Sequence, residues 1–455
     1  MEGRMDTQIK KIGLITLASY FIFRFYFSFV SISIQQLLLF GFIGIYFLFH
    51  LPEFKRYFLN LGKNKTIFLI AILFYSSIII FSFVIPILYR TNDFSYLKSQ
   101  LRYISYTLTF IILVHLVHVH LRPNNLKDEL LKIYTIVCRN YVLVSIVMLI
   151  IPPIKYFWQS IIHETERNLH LVNTKAEYAA RWGWAGYSGF AITLQITIAV
   201  AFLIYLILKD MENGKKLSIN HLSNLVILLI GTAFYGRVGL LTSLAIIGLA
   251  ILYLIFSKGK IFLGVGIIGS LLTLFIGLTI LKDMNTSIES WYNWAMDPIL
   301  DILQSGSIQT SSTDTLLDMY FIPDWHTLLF GDGQYVDNLT GGYYMAVDVG
   351  YLRPTLFYGI FLLIIGYMVP VLLLYTLVKS DKKNISLMLL LMFVMFIFEL
   401  KGEVYMTIIP ITFMLFYAES IAKYEQVTNK ENKVQKMKRY HICENILDNS
   451  KELRI

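Results

Sequence analysis

Long runs of apolar residues broken by short polar, often basic, stretches set the pattern of this chain. Stretches such as TIFLIAILFYSSIIIFSFVIPIL (66–88) and IFLGVGIIGSLLTLFIGLTIL (261–281) exceed the roughly 18 apolar residues that mark a membrane-crossing helix. Read this way, the chain predicts twelve spans near 12–30, 32–51, 66–88, 102–121, 133–151, 188–208, 222–236, 238–256, 261–281, 350–378, 385–400 and 404–421. The segment after Lys10 and Lys11 has no small-residue cleavage site and runs straight into a second span, so it reads as a retained anchor.

One run needs more than its hydropathy. From Leu222 to Phe256 the only charge is Arg237, inside GTAFYGRVGLLTSLAII. A single helix over those 35 residues would be about 52 Å long, against a hydrocarbon core of about 30 Å. Lys209, Lys215 and Lys216 precede the run, and Lys258 and Lys260 follow it. Basic flanks mark the cytoplasmic side, so both ends lie inside and the run must cross twice. It is predicted to be a hairpin with Arg237 at its outer turn, between Gly236 and Gly239, where glycine suits a tight bend. The same logic makes 385–421 a hairpin with Glu399, Lys401 and Glu403 at its apex.

Composition agrees with this reading. Hydrophobic residues make up 56% of the chain and charged residues only 15%, against about 25% in soluble domains. The net charge of +9 sorts by side, with 26 of the 39 Lys and Arg on the segments assigned inside and both termini cytoplasmic. The positive charge is therefore a topology signal with a basic tail near anionic lipid, and it does not indicate nucleic acid. The chain divides into a transmembrane domain, 1–421, and a basic tail, 422–455. Its two cysteines, Cys138 in a span and Cys443 in the tail, make no disulfide framework.

The extramembrane mass lies outside, in loops 152–187 and 282–349. Ile288, Trp291, Ala295, Ile299 and Ile302 recur at helical spacing, which predicts an amphipathic helix on the outer interface. A second short helix is expected at 310–321, with Ser312 or Thr313 as its cap. Trp158, Trp182, Trp184 and Trp325 fit an interfacial belt. No phosphate-cradling G-x-x-x-x-G-K-[ST] and no D-x-D pair occur, which disfavours ATP-driven transport and cytoplasmic nucleotide-sugar chemistry. FGDGQY (330–335) reads as a turn.

Each polar candidate carries two readings. Arg237 is either a snorkelling charge or a cation facing a cavity or a partner, the usual lot of an intramembrane arginine. Arg181, in RWGWAGYSGF, is an interfacial anchor or a site residue. Asp348, in DVGYLRPTLFYGIF, is a carboxylate favoured by a helix N-terminus, with Arg353 as its partner, or a reacting group. In HLVHVH, His115 and His118 share a helix face but His120 does not, so no metal is assigned. Arg24 and Arg139 are placed inside the bundle.

Outward-facing arginines, aromatic outer loops and no energy-coupling motif suit an anionic, lipid-anchored substrate, since an arginine fork matches phosphate oxygens. At this point the chain resembles the O-antigen and capsule polymerases (Wzy-type) and their sister O-antigen ligases. Arg181-Trp-Gly183 with Gly186 looks like the family's R-x-G segment, without the usual Pro-Asn. GTAFYGRVGLL is similar to its S-R-x-G-L-L hairpin, with Gly236 where serine is common. Asp348, Leu352 and Gly359 match the ligases' H-x-x-x-L-x-x-x-x-x-x-G spacing, with aspartate replacing the ligase histidine, and Asp-x-Gly-Tyr here looks like polymerase sequences.

The resemblance implies an all-α, polytopic, GT-C-like enzyme of the bacterial inner membrane with its active face outward. It would be a glycosyltransferase that moves a glycan chain from undecaprenyl pyrophosphate onto a new lipid-linked repeat unit, without cofactor or metal. Membrane lipids and a chain-length regulator protein are the implied partners. By the same resemblance Arg181 and Arg237 grip the leaving pyrophosphate, and Asp348 orients or deprotonates the acceptor hydroxyl. Arg353 and Tyr351 stand beside it, while Arg90, Glu399, Lys401 and Glu403 are further substrate-binding candidates. A ligase is the near alternative. A lipid-linked oligosaccharide flippase is the distant one, which two similar halves and short outer loops would favour.

Overall fold

Helices dominate because the apolar runs have no water to satisfy their backbone groups, and a helix pairs them internally. The computed structural model describes residues 2–59, 64–258, 311–337 and 339–452, with isolated positions between 266 and 296. The main helices are α1 (Glu2–Phe23), α2 (Ile32–Leu59), α3 (Lys65–Leu88), α4 (Ser95–Leu121) and α5 (Leu126–Ile150). Three short ones follow, α6 (Pro152–Ile161), α7 (Glu166–Thr174) and α8 (Ala176–Ala179). A two-residue hairpin then pairs β1 (Trp182–Gly183) with β2 (Gly186–Tyr187). Next come α9 (Phe190–Glu212), α10 (Ile219–Tyr235), α11 (Arg237–Lys258), α12 (Ser311–Asp318) and α13 (Trp325–Phe330). The chain ends in α14 (Leu352–Tyr358), α15 (Ile360–Ser380), α16 (Ile385–Glu399) and α17 (Tyr405–Glu452). Among the described residues, eight helices (α2, α3, α4, α5, α9, α11, α15 and α17) are long and apolar enough to cross a membrane. The protein is an all-α membrane protein.

A helix that is apolar all round belongs either in the middle of a bundle or against lipid, and both cases occur here. α9 is the central post, buried almost throughout and packed by α5, α10, α11 and α16. α2 is the opposite case, with Leu37, Leu38, Leu48 and Phe49 all exposed.

Contacts sort the helix ends into two sets. At one end Lys11 pairs with Glu129, Lys209 with Asp128, and His118 with Glu425, while Lys127 donates to Asn384. At this end His221 also approaches Asp210, and the Tyr253 hydroxyl donates to Glu212 at 3.0 Å. The start of α10 and the end of α11 thus meet the same end of α9, while Gly236 and Gly239 press on Thr193 near its other end. The 222–256 run folds as the expected hairpin, broken at Gly236.

The reason for glycine at that hairpin differs from the expected one. Gly236 is extended (φ −179°), a conformation any residue adopts. What both positions require is closeness, because a Cβ at Gly239 would collide with the Thr193 side chain.

Other expectations are corrected. The first span ends at Phe23 rather than 30, and Arg24 follows it at φ 26°. The 350–378 span is two helices, α14 and α15, broken at Gly359 (φ 83°), where a Cβ would overlap the Leu329 carbonyl. Trp291 does not lie on an interface. It is 2% exposed, its indole meets Phe234 edge-on, and its Nε1 donates to the Ala233 carbonyl at 3.2 Å. Trp182 is buried with Met148 and Val172, and only Trp325 of the expected belt is fully exposed. The helix expected at 310–321 is present as the shorter α12, which already includes Ser312 and Thr313, so neither is its cap. Ile288, Ala295, Ile299, Ile302 and most of the 261–281 run lie outside the described residues.

Candidate functional site

Three cations meet at the end of the bundle opposite the Lys11–Glu129 pair. Arg181 enters from the open end of the β1–β2 hairpin, where Ser188 N donates to the Arg181 carbonyl at 3.3 Å. That hairpin is pinned from below by Tyr141, whose ring stacks on Phe23 at 4.1 Å and leaves room only for a glycine at 183. Arg237 opens α11. Both guanidinium groups rest on one indole, Trp294, at 4.4 Å for Arg181 and 4.8 Å for Arg237. Arg237 Nε also donates to the Trp294 carbonyl at 2.8 Å, and Arg181 lies over Tyr178 at 4.4 Å. An aromatic face attracts a cation through its ring quadrupole and does not itself accept along the N–H directions. Among the described residues, the buried Nε of Arg181 has no hydrogen-bond acceptor.

Lys401 supplies the third cation from the α16–α17 turn, where its N–H donates to the Phe398 carbonyl at 2.9 Å. Its ammonium is held below the ordinary lysine value, first by burial and then by the nearby charges of Arg181 and Arg237, with Asp348 opposing.

Asp348 and Arg353 form the adjoining half. Arg353 Nη1 lies 3.7 Å from Asp348 Oδ1, and its guanidinium is sandwiched by Tyr343 at 3.9 Å and Tyr335 at 4.3 Å. Its Nε, like that of Arg181, is buried with no acceptor among the described residues. The Asp348 carboxyl is pushed up to about 6. Lost hydration is the main cause and Glu403 adds to it, while Arg353 and Lys401 pull it down. A carboxyl near that value is poised to take up or release a proton around neutral pH.

Glu403 sits under this pair in a cage of phenols. Its Oε2 accepts from Tyr335 at 2.7 Å and its Oε1 from Tyr96 at 3.1 Å. Tyr96, Tyr358 and Tyr405 are joined to one another at 2.6 to 3.2 Å. Burial raises the Glu403 carboxyl, and Arg353 with the two phenol donors works against that. Tyr335 is delivered by the FGDGQY turn, which Asp93 holds in place. Asp93 Oδ2 accepts from Tyr335 N at 2.6 Å and Val336 N at 2.7 Å.

The remaining candidates are not part of this convergence. Glu399 is fully buried, and its Oε1 accepts from Val404 N and Tyr405 N at 2.8 and 2.6 Å, which caps the start of α17. The Tyr351 hydroxyl donates to the Phe396 carbonyl at 2.9 Å. Arg90 is exposed on the turn between α3 and α4, beside Thr91 and Asp93 rather than among the cations. Trp294, Tyr335, Tyr343, Tyr178 and Tyr96 are site residues that sequence reasoning missed. Aromatic residues are so common here, 15% of the chain, that none stands out by type.

Beside the Glu403 cage a cavity of about 280 Å³ opens between α1, α4, α9 and α17, lined by Arg24, Arg102, Tyr103, Tyr106, Gln195 and Thr407 among others. Arg24 reaches Ser105 at 2.5 Å and Thr109 at 3.0 Å and lies over Tyr106 at 3.7 Å. No protein-family model, curated protein or solved structure matches this chain.

Proposed function

We propose that the protein is a polysaccharide polymerase of the Wzy type, with Arg181, Arg237, Lys401 and Asp348 at its active centre. The convergence of two arginines on one indole, with Lys401 and a carboxyl near pH 6 beside them, carries this reading. Arg181 and Arg237 bind the pyrophosphate of a polyprenyl-linked glycan, and Lys401 adds charge. Fixed cations in a dry site stabilise a leaving group as its negative charge develops, at no cost in reorganisation. The acceptor hydroxyl of a new repeat unit attacks the anomeric carbon of the growing chain. The bond from that carbon to the pyrophosphate oxygen breaks, and polyprenyl pyrophosphate departs with the electron pair. Asp348, held by Arg353, takes the hydroxyl proton. The donor is already activated as a pyrophosphate ester, so the reaction needs neither nucleotide nor metal.

In this reading the chain has twelve spans, both termini in the cytoplasm, and the site with loop 282–349 on the outer face of the bacterial inner membrane. The basic flanks of the apolar runs support that orientation, since the helix ends that meet at Lys11–Glu129 and Lys209–Asp128 are the ones assigned inside. The test is the surface glycan of a deletion strain complemented with wild type or with Arg237→Ala. The expected result is long chains in the first and single repeat units in the second, at equal protein levels. Long chains stranded on the carrier lipid would mark a ligase instead, and loss of all surface glycan a flippase.

A further inference from the structure

The other end of the bundle holds a polar cluster that the glycan reading leaves unused. His50 and Glu53 on α2 and His115 on α4 place three ligand atoms within 4.8 Å of one another. Glu53 Oε2 lies 2.6 Å from His115 Nε2 and 3.4 Å from His50 Nδ1, and the two imidazole rings are 4.9 Å apart. Among the described residues this is the one group of three such side chains drawn so close.

We propose that His50, Glu53 and His115 form a binding site for one divalent first-row transition ion, zinc foremost. Two imidazoles and one carboxylate are a borderline-soft donor set that suits zinc and not calcium or magnesium. Ligand atoms bound tetrahedrally at about 2.0–2.1 Å stand roughly 3.3–3.4 Å from one another. The His50–Glu53 separation already has that value, the His115–Glu53 hydrogen bond opens by less than about 1 Å as the ion replaces its proton, and the two imidazole nitrogens, within 4.8 Å of each other, draw in by no more than about 1.5 Å.

Two further features belong to a metal site. The Tyr46 hydroxyl lies 2.7 Å from His115 Nδ1, so an Nδ1–H donating to that oxygen leaves the Nε2 lone pair aimed at the ion. Metal-bound histidines are ordinarily held by such a partner on the other ring nitrogen. An entry path also exists. His115 is fully buried, but the side chains of His50 and Glu53 are 37% and 44% exposed, so an ion arrives from that side and keeps a water as its fourth ligand.

The ion would also do something for the fold. Lipid tails are as apolar as the exposed face of α2, so hydrophobicity does not drive that helix onto the bundle. A bond from α2 to α4 through the ion fixes it.

The test uses the full chain purified in detergent, stripped with a chelator and then loaded with zinc chloride. Elemental analysis of gel-filtered protein is expected to find one zinc per chain in wild type. His50→Ala and Glu53→Gln should each weaken zinc binding by about tenfold or more. His118→Ala, one turn along α4 and facing Tyr57 and Glu425 instead, should bind as wild type does. His50 is part-exposed, so His50→Ala is expected to fold. Zinc should raise the melting temperature of wild type and leave that of His50→Ala unchanged. Equal zinc in wild type and in the His50→Ala, Glu53→Gln double variant, or no zinc in folded wild type, overturns the proposal. The proposal is independent of the polymerase reading, because none of these readouts involves a glycan.

Discussion

Arg181 and Arg237 rest against the same indole, that of Trp294, at 4.4 and 4.8 Å. One arginine comes from a two-residue hairpin before α9 and the other from the first turn of α11, so neither helix alone sets their spacing. Trp294 therefore acts as a positioning residue for both. Removing one fixed cation from a preorganised anion site costs about 10²–10³ in rate. Arg181→Ala and Arg237→Ala are each expected to shorten the glycan to single repeat units. Arg→Lys variants should recover little, because an ammonium lacks the planar fork. Trp294→Ala should lower polymer yield less than either arginine variant. The check is the chain-length profile on gels at matched protein levels, and wild-type profiles in both arginine variants would sink the assignment.

Asp348 gives a pH dependence with a definite sign. Its carboxyl is pushed up to about 6, so the group is mostly protonated below that pH and ionised above it. Proton abstraction needs the ionised form. Polymerisation in reconstituted vesicles should rise as pH passes through about 6, and Asp348→Asn should be inactive across the range. The stability effect has the opposite sign. A raised carboxyl favours the folded state only at low pH, and that contribution is lost between the unfolded value near 4 and the folded value near 6. A rising activity limb over a falling stability limb separates catalysis from simple acid unfolding.

Sequence and structure part company at the level of tertiary neighbours. The helix runs were legible because a spanning helix is a local property of about twenty residues. The 222–256 hairpin was legible too, because its length and its basic flanks leave an even number of crossings as the only solution. Arg181, Arg237 and Asp348 stood out as charges beside glycines at the ends of apolar runs. Trp294 did not, because nothing local says which of many aromatic residues two distant arginines will share. Glu399 shows the converse error. At a hairpin apex it reads as a substrate-binding carboxylate, yet it is fully buried and caps α17. The fold of the turn back onto itself, with Gly350 pressed against that carboxylate, decides the matter.

That burial separates Glu399 from Glu403 in experiment. Glu399→Ala leaves the N–H groups of Val404 and Tyr405 unpaired inside the protein, at a cost of about 1–3 kcal/mol. Its melting temperature in detergent should fall, while glycan length per molecule of folded protein stays near wild type. Glu403→Gln should do the reverse, with little change in melting and a clear loss of polymer, since its partner Tyr335 lies against Arg353. Parallel losses of activity and melting temperature in both variants would contradict the division.

Gly359 offers the sharpest test of the fold near the site. At φ 83° it joins α14 to α15, and the Leu329 carbonyl occupies the space a side chain would need. The same crossing carries Gly331 (φ 75°) against the Phe357 carbonyl, and Gly333 N donates to Phe357 O at 3.0 Å. The two glycines thus lock the FGDGQY turn, and with it Tyr335, onto the end of α14. A non-glycine residue held in the left-handed region costs about 1–3 kcal/mol before any collision is counted. Gly359→Ala should therefore lower the melting temperature and also reduce polymerisation in the protein that remains folded, because the turn that delivers Tyr335 to Glu403 and Arg353 is displaced. Gly214→Ala is the matched control. It has the same sign of φ (78°) and no atom within 4 Å of the new Cβ. It should pay the backbone cost alone, with full activity per folded molecule. Equal activity losses in the two variants would show that backbone strain, and not the Gly359–Leu329 contact, is what matters.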